Sequence, residues 1–288
     1  MSLNKLNILQ NFSKENYSSY PFPYIEINNA LPEDIYEKLK KDYKIFESHF
    51  KKNKNFYENN KRIQINTEQI LKNKDNFEKS IWFDFVNYHN SLKFFDQLVN
   101  IFEKDLVIYY PNIKKIYDNR KNNEKFLSYR SEFNNEKYEF VSDCQPGINT
   151  PTNKISSVRG PHVDNPVELF GGLFYLKDDN DDSKGSDLII YEKIDDIIFE
   201  GKAEVKNLKA LKEYKKIKYE KNKFVIFLNT QHTIHGVTER SITKYNRNLT
   251  NIIIERYKNN NRFFVLKRES NILNNFFNKF LKKLKINV

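Results

Sequence analysis

Two histidine-containing motifs, separated by a long strand-like stretch, restrict the folds open to this chain. The first is His162-Val163-Asp164, and the second contains His235, which follows Asp164 by 71 positions. On an extended strand, residues i and i+2 point to the same face, so His162 and Asp164 can reach one point in space. Bringing His235 to that point requires a sheet that doubles back on itself.

The sequence around these motifs is typical of an all-β core. Several short strands with turns between them predict a barrel or jelly roll. The predicted strands cover residues 139–143, 168–176, 187–191, 224–228 and 249–254. An acidic segment at residues 177–185 is predicted to be a solvated turn. We do not expect it to bind calcium, because Ser183 stands where an EF-hand loop requires glycine.

Upstream of these strands, the pattern is mainly helical. Residues 24–27 are predicted to form a short strand, and a helix is predicted to begin at Pro32, where Glu33 and Asp34 favour its first turn. An apolar helical region in two pieces follows, with Ser91 as the N-cap of the second piece. Two further stretches are rich in Lys and Asn: residues 47–79 are predicted to be loop and short helix, and residues 111–137 to be irregular.

The chain is therefore divided into three parts. Residues 1–137 are predicted to be a helical, substrate-shaping region integrated with the core, and residues 138–260 to be the core itself. Residues 261–288 are predicted to contain an amphipathic helix with a phenylalanine-rich face opposite lysines. Such a helix can pack on the sheet, form a homodimer contact or bind a membrane surface.

The composition of the chain indicates its cellular compartment and the kinds of partner that it binds. The 288 residues include 49 Lys and Arg against 38 Asp and Glu, a net charge of +11. The lysines are spread along the chain, which favours a solvated surface over a nucleic-acid partner. The single cysteine, Cys144, excludes an intramolecular disulfide and a multi-cysteine zinc site. With neither a signal peptide nor a run of about 18 apolar residues, we expect a cytoplasmic protein without a transmembrane segment.

The motifs also predict a metal site. Two neutral imidazoles and one carboxylate on one side of a metal leave its other positions open, as in the facial triad of non-haem Fe(II) enzymes. His162, Asp164 and His235 supply that set of ligands. His232 competes for the place of the distal histidine, but it lies three positions from His235, so both cannot lie on one side of a strand.

At these residues the sequence resembles the 2-oxoglutarate/Fe(II)-dependent dioxygenase superfamily, particularly its prolyl-4-hydroxylase-like branch. The motifs are His162-x-Asp164, His235-Gly236-Val237 and Arg247. The resemblance implies a double-stranded β-helix core that uses Fe(II), 2-oxoglutarate and O2. It also implies that His162, Asp164 and His235 are the metal ligands and catalytic residues. Further similarity lies in residues 173–176, 185 and 188–190, which look like the core hairpin, and in residues 21–32.

By the same resemblance, Arg247 would bind the C5 carboxylate of 2-oxoglutarate. A buried carboxylate needs a cation, and a guanidinium can pair with it through two hydrogen bonds. Members with arginine often have serine two residues later, whereas this chain has Leu249. Lys244 competes for the role, because the prolyl hydroxylase branch often uses lysine. Arg247 is preferred since it adjoins a predicted strand.

The resemblance predicts hydroxylation of a small-molecule metabolite, with release of succinate and CO2. Halogenating relatives have a small residue in place of Asp164, so its presence favours oxygen insertion, although desaturation and epimerisation use the same ligands. Arg159 is expected either to contact an anionic substrate or to form a surface ion pair, and Asp143 and Gln145 are further candidates for substrate contact. The alternatives are a peptidyl, prolyl-type hydroxylase and a non-catalytic metal-binding barrel that acts as a binding module.

Overall fold

Two main β-sheets, a two-stranded sheet and a layer of helices make up the part of the chain that the computed structural model describes, residues 3–133, 135–260 and 262–268. The strands are β1 (Tyr17–Ser18), β2 (Tyr24–Ile27), β3 (Arg62–Gln64), β4 (Leu127–Tyr129), β5 (Phe140–Asn149), β6 (Glu168–Tyr175), β7 (Leu188–Lys193), β8 (Phe199–Glu200), β9 (Glu204–Val205), β10 (Leu211–Ile217), β11 (Lys223–Leu228), β12 (His235–Val237) and β13 (Arg247–Glu255).

The helices precede most of the strands. The α-helices are α1 (Glu33–Asp42), α2 (Glu47–Lys52), α3 (Thr67–Lys72), α4 (Lys74–Phe77), α5 (Ile81–His89), α6 (Leu92–Ile101), α7 (Glu103–Tyr109) and α8 (Pro111–Asp118). Short 3-10 helices occur at Leu3–Leu6, Lys14–Asn16, Tyr43–Phe46, Arg120–Asn122, Leu208–Ala210 and Lys258–Asn260. None of the helices within the described ranges is long and apolar enough to cross a bilayer.

The sheet topology is that of a double-stranded β-helix. The large sheet has the order β1-β2-β11-β6-β13-β5-β3, with β4 parallel to β5, and the small sheet has the order β10-β7-β12. His162 extends the small sheet beyond β12, because its backbone exchanges hydrogen bonds of 2.8 and 2.9 Å with that of His235. With His162 included, the small sheet has four paired segments against the eight strands of the large sheet, and the predicted fold class of a β core with a helical N-terminal part is confirmed.

The two faces of the large sheet have different roles. On its outer face, alternate side chains such as Phe170 and Phe174 pack against the helices in the main hydrophobic core. The rings of Phe85 and Phe174, for example, stack at 5.8 Å between centroids. Burying one such phenylalanine contributes about 1.5–3 kcal/mol. The inner face, which carries Gly171 and Leu173, is left to line a cavity between the sheets.

Most predicted elements are present, with shifted ends. The strand at 24–27 and the helix after Pro32 are confirmed, as is the capping role of Ser91, whose hydroxyl accepts a 3.3 Å hydrogen bond from the Phe94 N–H. The five predicted core strands correspond to β5, β6, β7, β11 and β13. The strand β5 continues to Asn149, six residues beyond its predicted end, because it is hydrogen-bonded to β13 along its whole length.

Three expectations were wrong. Residues 111–137 contain α8 and β4, and the unpredicted strands β3 and β10 lie at sheet edges. In β10, five consecutive side chains are exposed, so its sequence lacks the alternation that indicates a strand. The acidic segment is not merely a solvated turn, because Asp181 forms a fully buried 2.8 Å ion pair with Arg240.

The predicted C-terminal helix cannot be placed, since residues 269–288 lie outside the described residues. The part of that segment that is described, residues 262–268, contains no helix. The three-part division of the chain, and a homodimer formed through this helix, therefore stay predictions.

Candidate metal centre

Two segments of the small sheet bring the histidine motifs together. Because the backbones of His162 and His235 pair, their imidazole rings lie 4.2 Å apart between centroids. Asp164 turns to the same point, with its Oδ1 3.5 Å from His162 Nε2 and its Oδ2 3.6 Å from His235 Nε2. One potential ligand atom from each residue lies within 4.8 Å of the others. The three residues predicted from the sequence thus converge and could hold a metal ion.

Backbone carbonyls determine which ring nitrogen of each histidine is available. His162 Nδ1 lies 2.7 Å from the Gly160 oxygen, and His235 Nδ1 lies 3.0 Å from the Thr233 oxygen. A carbonyl can only accept, so each Nδ1 carries the proton and each Nε2 presents a lone pair towards Asp164. Burial, followed by the neighbouring His162, lowers the pKa of His235 to about 3, which keeps this imidazole neutral.

The carboxylate of Asp164 is held in its ionised form. Burial alone would raise its pKa, but His235, His162 and Arg159 together lower it below its ordinary value. Gly171 lies directly beneath this carboxylate. A Cβ there would lie 3.0 Å from Asp164 Oδ2 and 3.1 Å from the Phe227 ring, so a larger residue would push the carboxylate or the ring aside by a few tenths of an ångström.

The triad forms part of the wall of a cavity of about 480 Å³ between the sheets. Unlike the hydrophobic core, its lining is rich in polar groups. Gln64 Nε2 donates to Gln145 Oε1 at 2.9 Å, and Arg62 Nη1 lies 3.4 Å from Asn251 Oδ1. The charged or amide side chains in the wall, besides the triad, are Asn60, Lys61, Arg62, Gln64, Arg130, Gln145, Arg159, Glu168 and Asn251.

Sequence reasoning missed several of these residues, among them Arg62 and Gln64. These two belong to β3, which lies in a Lys- and Asn-rich stretch predicted to be loop and short helix. The alternation of Arg62, Ile63, Gln64 and Ile65 was an available signal, because a period of two is typical of a strand. Only the pairing of β3 with β5 turns this short alternation into part of a cavity wall.

Arg247 lies deeper than the cavity wall. It is fully buried, its Nη1 lies 3.2 Å from Asn149 Oδ1, and its Nη2 donates to the Ser186 oxygen at 3.0 Å. Arg247 does not itself line the cavity, but it lies on the same face of β13 as the cavity-lining Asn251, because the two are four residues apart. In contrast, the competing Lys244 is exposed and lies over the ring of Tyr245.

Three hydrogen-bond donors around Arg247 have no partner among the described residues. They are Arg247 Nε, Tyr175 Oη and Asn149 Nδ2, all of them buried. The guanidinium carbon lies 5.0 Å from the centre of the Tyr175 ring. Burial raises the pKa of Tyr175, with Arg247 opposing that effect, so its hydroxyl stays protonated. A carboxylate would satisfy these donors, and this end of the barrel therefore fits a carboxylate ligand.

The other predicted candidates are divided between the site and its surroundings. Arg159 lines the cavity, where its Nη1 is 3.3 Å from Asp164 Oδ1 and its Nη2 donates to the Lys202 oxygen at 2.9 Å. Asp143 lies behind the wall and pairs with Arg130 at 2.6 Å. His232 is half-buried, and its ring contacts the Gln231 side chain at 3.3 Å rather than the triad.

Comparison with family models and with curated proteins found no match for this chain. Among solved structures, it is similar to a prolyl-4-hydroxylase from Pseudomonas putida, at 12% identity and a TM-score of 0.43, over 89% of this chain and 99% of that one. It is also similar to prolyl 4-hydroxylases from Phytophthora capsici, at 13% identity and a TM-score of 0.45, over 98% and 72% of the two chains. A third is dioxygenase for auxin oxidation 1 from Arabidopsis thaliana, a binary complex with 2-oxoglutarate, at 12% identity and a TM-score of 0.41, over 86% and 87%.

Proposed function

We propose that this chain is an Fe(II)/2-oxoglutarate-dependent dioxygenase that hydroxylates a small polar molecule. His162, Asp164 and His235 would be its metal ligands. One observation supports this most directly: two imidazole Nε2 lone pairs and one carboxylate converge in a cavity wall, with both Nδ1 atoms bonded to backbone carbonyls.

The donor set fits Fe(II). Two nitrogens and one carboxylate on one side of the metal leave open positions for a co-substrate and dioxygen. When bound, Fe(II), 2-oxoglutarate and O2 supply oxidation of a C–H bond to C–OH, while 2-oxoglutarate becomes succinate and CO2. The protein would orient the reactants and hold the charges in place.

Individual side chains have assigned roles in this proposal. The Gly160 and Thr233 carbonyls orient the imidazoles of His162 and His235, and Arg159 orients the Asp164 carboxylate. At the far end of the barrel, Arg247 would bind the distal carboxylate of 2-oxoglutarate, since it is a buried cation without a carboxylate partner among the described residues.

The choice of a small polar substrate follows from the cavity. Half of the described residues that line it carry a charged or amide side chain, and Phe227 is the one aromatic residue among them besides the two histidines. Buried polar groups need hydrogen-bond partners, so such a wall favours a ligand that itself carries polar groups. A ligand of this kind would fit within about 480 Å³.

The decisive experiment is to load the protein with Fe(II) and 2-oxoglutarate without oxygen, and then to measure succinate after admitting air. We expect succinate release from the wild type and a loss of more than about 100-fold in His162→Ala. Removal of a metal ligand should cost more activity than removal of a hydrogen-bond partner that only orients a ligand. His232→Ala is the matched control, since this histidine lies outside the triad, and we expect a change within about twofold.

Unchanged turnover in His162→Ala would contradict the assignment. Zinc bound at the triad, together with no affinity for 2-oxoglutarate, would instead support a non-catalytic metal-binding barrel.

A further inference from the structure

Glu168 is the second carboxylate in the wall of the cavity, besides Asp164. Its side chain forms no hydrogen bond or ion pair with any residue that the structure describes, whereas Asp164 faces two imidazoles and Arg159. Glu168 is half-buried, and a carboxylate that is partly removed from water without a partner costs free energy, so such a residue marks a candidate functional position.

A β-bulge directs Glu168 into the cavity. On β6, Phe170 and Phe174 point to the helices, and strict alternation would send residue 168 to that side too. The register with β13 shifts there, because Ile254 is opposite Phe170 while Glu255 is opposite Glu168. Leu169, the extra residue, joins the hydrophobic core, and Glu168 faces the cavity instead. Bulges beside active sites commonly redirect a side chain in this way.

Arg130 and Arg159, two of the arginines in the same wall, are already engaged by other carboxylates. Arg130 lies 2.6 Å from Asp143 and 3.0 Å from Glu255, and Arg159 pairs with Asp164. Burial, followed by the negative charges of Asp164 and Glu255, raises the pKa of Glu168 well above its ordinary value. Among the described residues Glu168 thus has no ion-pair partner, and a bound cationic ligand could supply one.

Glu168 also connects the metal cavity with a second one. An adjoining cavity of about 580 Å³ shares Arg159, Asp164 and Glu168 with the first. Its outer wall carries Arg262 and Arg268, and neither forms an ion pair within the described part of the chain. A ligand that extends from Glu168 into this space would thus meet a negative group at one end and positive groups at the other.

We infer that Glu168 binds the cationic side-chain nitrogen of the substrate beside the metal ligands, and that the substrate is an amino acid with a basic side chain. Its carboxylate would face Arg262 and Arg268. This inference rests on the proposed function, and it narrows the small polar substrate to a molecule that carries both charges. A charged pair also gives selectivity, because a neutral analogue would leave the Glu168 carboxyl group unpaired.

The test begins with protein loaded with Fe(II) and 2-oxoglutarate under anaerobic conditions. L-Lysine, L-ornithine and L-arginine are titrated by calorimetry, with L-norleucine as an analogue that lacks the side-chain ammonium. We expect at least one basic amino acid to bind and to increase succinate release in air, and norleucine to do neither. Glu168→Gln should weaken that binding about 10- to 100-fold, the range of a lost hydrogen bond to a charged group.

Two further variants separate recognition from folding. Glu168→Asp keeps the charge and should recover part of the affinity, which a purely structural role would not predict. Glu200→Gln, an exposed carboxylate on β8, is the matched control and should bind the amino acid like the wild type.

Failure of the proposed function and failure of this inference can be told apart, because the binding of Fe(II) and 2-oxoglutarate is measured before the amino acid is added. A wild type that takes up no Fe(II) or 2-oxoglutarate overturns the proposed function, and this inference with it. Normal loading without binding of any basic amino acid overturns the inference alone. So does equally tight binding by Glu168→Gln, or binding of norleucine as strong as that of lysine.

Discussion

His89 and His235 are both buried histidines whose pKa is lowered to about 3, yet they lie in regions with different roles. His89, in α5, uses both ring nitrogens within the protein: Nδ1 donates to the Phe85 oxygen at 2.8 Å, and Nε2 accepts from the Ile8 N–H at 3.4 Å. His235, at the cavity, uses only Nδ1 in this way and points Nε2 at Asp164.

Two arginines repeat this contrast. Arg240 and Arg247 are both fully buried, but Arg240 is neutralised by Asp181 at 2.8 Å, although its Nη1 lacks a partner. Arg247 has no carboxylate partner among the described residues and keeps an unsatisfied Nε. Burial therefore does not separate structural from functional groups here. Unused bonding capacity does: His235 leaves its Nε2 free at the cavity, and the Arg247 guanidinium has no carboxylate partner among the described residues.

Removing the neutralised arginine should have the largest effect on stability. Arg240→Ala leaves Asp181 buried and unpaired, so we expect the free energy of unfolding to fall by about 3–5 kcal/mol. Urea denaturation measures it. Arg247→Ala is the matched comparison and should cost less, because it leaves no buried carboxylate behind. An equal decrease in the free energy of unfolding of the two variants would show that the ion pair with Asp181 does not set Arg240 apart from Arg247.

The complementary prediction concerns 2-oxoglutarate. Arg247→Ala should raise the apparent KM for 2-oxoglutarate by about 100-fold, since a buried guanidinium–carboxylate pair is lost. Lys244→Ala should change that KM by no more than about twofold, because an exposed cation contributes little. Steady-state succinate formation at varied 2-oxoglutarate measures both values. A larger effect in Lys244→Ala would show that the wrong cation had been assigned.

The smallest expected effect is a pH dependence that comes from His89. Since burial lowers its pKa to about 3 in the folded state, the unfolded chain binds the extra proton between pH 6.5 and 3. The contribution of His89 to the free energy of unfolding is therefore fully present above pH 6.5 and is lost as the pH falls. When the pH falls from 7 to 5, the free energy of unfolding of the wild type should decrease by about 2 kcal/mol more than that of His89→Leu, because leucine cannot titrate.

Denaturation curves of both proteins at the two pH values test this. If the free energy of unfolding fell equally in the two proteins, the folded protein would have to accommodate a charged His89. The two buried histidines would then differ less than their contacts indicate.

The triad could be predicted from the sequence because its signals are local. His162 and Asp164 share a face through their i, i+2 spacing, and the position of His235 between strand-like segments placed it within reach. Strand alternation likewise predicted the β core, and Ser91 predicted a helix start. These features depend on neighbours in the chain, so composition and periodicity determined them.

The second half of the site depended on contacts between distant residues. Arg62 reaches the cavity because β3 pairs with β5, and Glu168 reaches it because a bulge against β13 redirects its side chain. Neither strand pairing nor register is specified by the residues within a single strand, since each is chosen by the packing of partners far away in sequence. The sequence by itself thus determined the fold class and the three candidate ligands. Only the tertiary structure decided which charges remain unpaired around them, because pairing is a property of the assembled sheets.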